Sequence, residues 1–268
     1  MVSTTHAEVS INIGMASSSS SSVIQRLSPF MQYLKNQGVN TGKIINSKNL
    51  EKLIKKIKKN RVQMTFESAY SGIKIMDKTG AIPVLIREKS GKKQYNSVIF
   101  ARASSQINTF DNLKNKVIAF EDKASTSSFL LPAALLKRNK LELEFSKEKK
   151  SIAGKVAYYF SKDDTNTIAQ VLAGKADAGG IKKSAIASNK DFKIIGKESE
   201  YIPRHIVLIS SEVSKSQREK IVSILLKMKE DPKALEVLKK MRTPTGFSKF
   251  DKDPIESMNA IRNILDLP

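Results

Sequence analysis

Short stretches of alternating apolar and polar residues are separated along this chain by longer stretches whose apolar residues recur every three to four positions. The first alternating stretch, VSINIGM from Val9 to Met15, predicts a strand. After serines from Ser17 to Ser22, residues Ile24, Leu27, Phe30, Met31 and Leu34 share one helical face, and Gly38 ends it. The serine run is too short and tightly flanked for a linker, so it reads as a strand-to-helix loop whose end can face a ligand. A helix from Leu50 to Lys59 sets Leu50, Leu53, Ile54 and Ile57 against lysines. It leads to the strand VQMTFES, a helix from Tyr70 to Thr79 stopped by Gly80, and the strand IPVLIR. A polar turn over residues 87–94, with Gly91, precedes the long β-branched strand YNSVIFAR. This order of strands and helices predicts a mostly parallel sheet covered on both faces.

The second half continues in kind. TFDNLKNKVIAF predicts a short helix capped by Asp111 and then a buried strand, VIAF. After that strand, Ser125, Thr126, Ser127 and Ser128 lead into the apolar helix FLLPAALLKR. A polar region over residues 139–150 precedes the strand VAYYF and a helix, DDTNTIAQVLAG, closed by Gly174. ADAGGI and DFKIIG are short strands, and HIVLIS is a long apolar one that mirrors SVIFA. The tail is helical: Ser214 to Gln217 form a capping box, and Asp231 and Asp253 each precede a proline at a helix start. The pattern implies an α/β protein of two lobes, residues 8–99 plus 207–268 and an inserted 100–206, joined by two crossover strands. Ligands of such sheets bind at the carboxyl ends of the strands, here in the cleft between lobes.

At 268 residues, 40% hydrophobic and 27% charged, the chain has the make-up of a soluble globular protein. No apolar run approaches the roughly 20 residues of a membrane-spanning helix. Lys and Arg number 47 against 26 Asp and Glu, a formal charge of +21. That excess suits nucleic acid, an anionic membrane surface or acidic solutes. The lysines are spread over most helices and cluster only at Lys52, Lys55, Lys56, Lys58 and Lys59, the pattern of a solvated helix face. Aromatic residues are 6%, without the aromatic-basic motif of an RNA-binding sheet, so nucleic acid is not expected as a partner. The absence of cysteine excludes disulfides and thiolate chemistry and fits an oxidising compartment. Thr5, His6 and Ala7 place small residues where a signal-cleavage site has them, which suggests a mature form with Met1 replaced.

Four consecutive hydroxyls exceed what one helix start needs. Helix N-termini expose unpaired N–H groups with partial positive charge, and adjacent hydroxyls add orientable donors, so the run suits a desolvated oxyanion. It equally suits a redundant cap. Pro132 cannot donate within the helix, which leaves either a kinked first turn or a loop over residues 125–131.

ESAYSGIKI, YNSVIFARASSQINTFDNLKNKVIAFEDKASTSSFLLPAALLKR and TIAQVLAGKADAGGI resemble the phosphate/phosphite/phosphonate-binding proteins of ABC transporters. The resemblance spans about residues 9–210 and is strongest in VIAFEDKASTSSFLLP, whereas DNLKNK and AGKADAG recur across many binding-protein families. It implies a type II periplasmic binding protein fold, in which Ser125, Thr126 and Ser127 hold phosphoryl or phosphonyl oxygens. It further implies that Tyr95 and Ser97 line the opposite cleft wall and that Glu67 and Tyr70 face the ligand. By themselves the two tyrosines fit core packing with the hydroxyl at a wet edge, and Glu67 fits a surface acid.

One departure concerns FSKDDTNT, where Asp163 stands in the place of the family's histidine and Asp164 follows. A carboxylate only accepts, so Asp163 implies a protonated ligand oxygen, a cationic ligand group, or an aspartate turned away as a helix cap. Asp177 is expected to fix a loop. His6 and His205, lacking a second His or Cys nearby, form no metal site. The resemblance thus implies a non-enzymatic, monomeric, periplasmic receptor without metal or cofactor. Its ligand would be a phosphonate, phosphite or phosphate, delivered to an ABC permease in the membrane. A receptor feeding a sensor kinase uses the same cleft; a transferase on a similar scaffold needs a buried base or cofactor lysine, and none stands out.

Overall fold

The computed structural model describes residues 8–17, 20–88, 94–198 and 202–265. The suspected signal-cleavage residues Thr5 to Ala7, Ser18 and Ser19 of the serine run, and Gly91 of the polar turn lie outside the described residues. The chain begins with β1 (Ile11–Ala16), α1 (Ser20–Asn36), β2 (Thr41–Ser47), α2 (Leu50–Lys58), β3 (Met64–Glu67), α3 (Ala69–Thr79) and β4 (Ile82–Arg87). It continues with β5 (Ser97–Arg102), β6 (Val117–Phe120), α4 (Leu131–Arg138), β7 (Leu143–Phe145), β8 (Val156–Phe160), α5 (Asp164–Leu172), β9 (Ala178–Lys182) and β10 (Phe192–Lys197). It ends with β11 (His205–Ile209), α6 (Lys215–Lys227), α7 (Leu235–Lys240), β12 (Phe247–Ser248) and α8 (Pro254–Ile264). None of the described helices is long and apolar enough to cross a membrane.

The chain divides into two compact units, Met1–Gln94 with Ile202–Ile261 and Tyr95–Tyr201 with Arg262–Pro268. The first unit's sheet has the order β12-β4-β11-β3-β1-β2. There β1 runs parallel to β2 and β3, while β11 opposes β3 and β4. The second sheet has the order β10-β5-β9-β6-β8-β7, with only β5 running against the rest. In each sheet the strands built from the local β-α pattern are parallel, as their helical crossovers require.

Several expectations shift. β5 lies wholly in the second sheet and β11 in the first, so the breaks fall at 94/95 and 201/202 rather than 99/100 and 206/207. The last residues of the tail, from Arg262, group with the second unit. β2 and β7 are edge strands, and their half-exposed residues do not alternate, which hid both from the sequence pattern. Asp111 sits inside a single tight turn, and Asn112 Oδ1 instead takes the amides of Asn108 and Thr109, both at 3.1 Å. Ser214 accepts from Gln217 N at 3.2 Å, but the Gln217 side chain donates to Val9 O and leaves the capping box half-closed.

The second unit's core shows why β9 reads ADAGGI. Alternate residues of β5 and β6 face opposite layers, Phe100 and Ala119 on one side, Ile118 and Phe120 on the other. A Cβ on Gly179 would sit 2.5 Å from the Phe100 ring, and one on Gly180 2.4 Å from the Phe120 ring. Only glycines let β9 pass between these two rings.

Candidate functional site

The hydroxyl run follows β6 and forms a single wide turn, Thr126–Leu130, continuous with α4. Leu130 N donates to Ser125 O at 3.0 Å and Leu131 N to Thr126 O, both spanning five residues instead of four. Pro132 explains the widening. It has no N–H to give Ser128 O, and that freed carbonyl accepts Glu121 N at 3.2 Å, tying the turn to the end of β6. The alternative of a loop ahead of Pro132 is excluded; the first turn is helical and of π type.

The four hydroxyls have different fates. Ser125 is the cap: its Oγ accepts from Ser128 N at 3.2 Å and donates to Glu121 Oε2 at 2.6 Å. Ser128, fully buried, donates to Asp164 Oδ1 at 2.8 Å. Lys182 Nζ holds the other oxygen of that carboxylate. Ser127 Oγ has only a long contact, 3.5 Å, with Ser128 Oγ. Thr126 Oγ1 is buried in a residue 3% exposed and has no hydrogen-bond partner among the described residues.

Ser97 belongs to the same edge. It opens β5 opposite Lys182 of β9, its residue is 1% exposed, and its Oγ also lacks a partner among the described residues. Phe120 pairs with Phe160 and Ala119 with Gly179, which aligns the carboxyl ends of β6, β8 and β9. That edge gathers Ser97, the turn, Asp164 and Lys182. The first amides of the turn have no acceptor within it and add donors with the positive end of the helix dipole.

Asp163 has another employment. It caps α5, its two oxygens accepting from Asn166 N at 2.7 Å and Asn166 Nδ2 at 2.9 Å. Of the three alternatives for this aspartate, the geometry is that of the cap. Tyr95 is half-buried just ahead of β5. Asp177 ties the residues ahead of β9 to the start of β6, at the end of that strand away from the hydroxyl turn, Oδ2 accepting from Val117 N at 2.9 Å.

Glu67 and Tyr70 lie in the first unit. Glu67, at the end of β3, is buried and Oε1 accepts from Ala16 N at 3.1 Å, so it is no surface acid. It also raises the affinity of buried Arg87 for its proton, against the larger effect of burial and the repulsion of Arg26, which bring Arg87 down to about 10. Tyr70, in the first turn of α3, packs its ring 5.8 Å from Lys74 Nζ. Sequence reasoning missed Lys182 and Glu121 as parts of the edge, and had Ser128 only as a member of the hydroxyl run. Lys182 had a legible signal, a cation directly after a strand of small buried residues.

Two α/β units with parallel strands, an antiparallel strand in each, and a donor-rich strand-to-helix turn define a type II periplasmic solute-binding protein. A family model for the periplasmic phosphonate-binding proteins of ABC transporters matches residues 13–254, and the chain belongs to that family. Among solved structures it is similar to a Xanthomonas citri protein bound to ATP, with TM-score 0.84 and 21% identity, covering 96% of both chains. It is also similar to PhnD1 of Prochlorococcus marinus in complex with methylphosphonate, with TM-score 0.67, 19% identity, 96% of this chain and 98% of that one. A binding component of a phosphonate transporter from Pseudomonas aeruginosa shares the fold at TM-score 0.64 and 17% identity, over 97% and 88% of the chains.

Proposed function

We infer that this periplasmic-family chain captures a small phosphorus oxyanion, a phosphonate, phosphite or phosphate, at the amino end of the Thr126–Leu130 turn. It releases that ligand chemically unchanged to an ABC importer and acts as a monomer without a nucleic-acid partner. The observation that carries the assignment is the pair of buried hydroxyls without partners, Thr126 Oγ1 and Ser97 Oγ. A buried unsatisfied polar group costs about 1–3 kcal/mol, and a tetrahedral anion accepting from both would offset it. Thr126 and Ser127 donate from side chain and backbone, and Ser97 donates from β5. Ser125 holds the turn's shape, and Lys182 neutralises Asp164 so that no bare carboxylate faces the anion. The methylphosphonate complex of PhnD1, a structural relative, supports the ligand class.

Calorimetric titration of the whole chain with methylphosphonate, phosphite and phosphate, with sulfate as the comparison anion, tests this. At least one phosphorus oxyanion should bind at micromolar concentration or below, and Thr126→Val with Ser127→Ala should abolish that heat. Failure of all three to bind, or unaltered affinity in the double variant, would overturn the assignment.

A further inference from the structure

The outer face of α2 carries more positive charge than a solvated helix requires. Between Lys48 and Arg61 stand six lysines and one arginine against a single acid, Glu51. That acid is already engaged by Lys78 at 3.0 Å. Leu53, Ile54 and Ile57 bury the inner face in the first unit, while Lys52, Lys55, Lys58 and Lys59 are exposed. Lys56 donates to Asn46 O at 2.8 Å, and the other cations of the stretch form no ion pair with a described residue.

Lys52 with Lys56, and Lys55 with Lys59, are like charges four residues apart, an arrangement that weakens a helix. The helix dipole rewards cations only in the last turn, which accounts for Lys55, Lys56 and Lys58 but not for Lys48, Lys52 or Arg61. The repulsion is relieved if the face meets a negative surface.

We propose that this face of α2 docks on an anionic phospholipid surface. Each lysine brought to an anionic leaflet strengthens partitioning by about fivefold, and a stretch of unpaired point charges sums such gains. The chemistry favours lipid over nucleic acid: six of the seven cations are lysines, and no aromatic residue between positions 48 and 61 offers a base-stacking plane. The family serves a membrane transporter from the periplasmic side, which brings its members close to a lipid headgroup layer.

The test is co-sedimentation of the whole chain with sucrose-loaded vesicles, either phosphatidylcholine alone or phosphatidylcholine with 30% phosphatidylglycerol. The mixed vesicles should retain the protein at low salt, the neutral ones should not, and added salt should release it. Lys52, Lys55, Lys58 and Lys59→Gln together should lower retention by roughly several hundredfold. A charge-matched control, Lys215, Lys227, Lys229 and Lys233→Gln, should keep it nearly intact. Equal loss in both quadruple variants would show that net charge alone acts and would overturn the proposal, as would equal retention by neutral vesicles. Tighter, salt-sensitive retention on duplex DNA than on the mixed vesicles would overturn it in favour of nucleic acid. Phosphonate titration of the α2 variant separates this outcome from the fate of the ligand site, because none of the four lysines belongs to that site.

Discussion

Ser128 donates its hydroxyl to Asp164 at 2.8 Å, and Lys182 grips the other oxygen of the same carboxylate. One pairing links the helix start after β6 to the helix start after β8, and the other brings in the end of β9. An acid at the proposed anion-binding edge is tolerable because both of its oxygens are engaged by donors, one of them cationic.

From this follows the first prediction. Lys182→Met leaves Asp164 uncompensated beside the anion, so phosphonate affinity should fall by at least tenfold in calorimetry. Adding Asp164→Asn should restore most of the loss if Lys182 acts by neutralising Asp164. A double variant as weak as the single one would mean that Lys182 contacts the ligand itself.

Thr126→Val separates binding from stability. Thr126 Oγ1 is buried without a partner among the described residues, so a near-isosteric methyl should leave the melting temperature unchanged or raise it. On the proposed binding mode the same substitution should remove a charge-assisted hydrogen bond to the anion, of about 1.5–3 kcal/mol, or roughly 10- to 100-fold in Kd. A lower melting temperature with unaltered Kd would contradict the role given to this hydroxyl.

Ser125→Ala should behave in the reverse sense. Its oxygen caps the turn and its proton goes to Glu121, so the loss should fall mainly on stability, about 1 kcal/mol by denaturant unfolding. Affinity should weaken less than in Thr126→Val. Equal affinity losses would place Ser125 in direct contact with ligand.

Gly180→Ala drives a methyl to within 2.4 Å of the Phe120 ring and 2.8 Å of Pro132 Cβ, the residue that sets the wide turn. Overpacking of this kind costs about 1–3 kcal/mol. The variant should unfold at lower denaturant and bind phosphonate more weakly, both read on one preparation.

Alkaline pH should reveal Tyr33. Burial, with the hydrogen bond to Asp231 at 2.9 Å, pushes its phenol up to about 12 from an ordinary 10. The unfolded chain therefore ionises first, so this contribution is complete below pH 10 and is lost as pH rises from about 10 to 12. Buried Arg87, lowered to about 10, acts oppositely over the same range, because the unfolded chain then holds the extra proton. The difference between wild type and Tyr33→Phe isolates the tyrosine, and a difference that stays constant between pH 9 and 12 would refute it.

Local chemistry wrote much of this protein into its sequence. The apolar, β-branched runs IPVLIR, SVIFAR and HIVLI matched β4, β5 and β11 because these strands are central and buried, so their residue types carry the signal. Gly38, Gly80 and Gly174 marked helix ends because each adopts a positive φ that costs glycine nothing. The edge strands β2 and β7 stayed hidden because one exposed flank relaxes the demand on composition.

The four hydroxyls after β6 were visible as a cluster, yet which of them remain available to a ligand was not. That depended on Asp164, 36 residues beyond Ser128, and on Lys182, brought alongside by strand pairing. A hydroxyl's type and its place at a helix start are local properties, so sequence alone determined where donors would gather. Whether a donor is already spent is a matter of its neighbours in space, so only the packed sheet decided that Ser125 and Ser128 serve the fold while Thr126 and Ser97 stay unpaired.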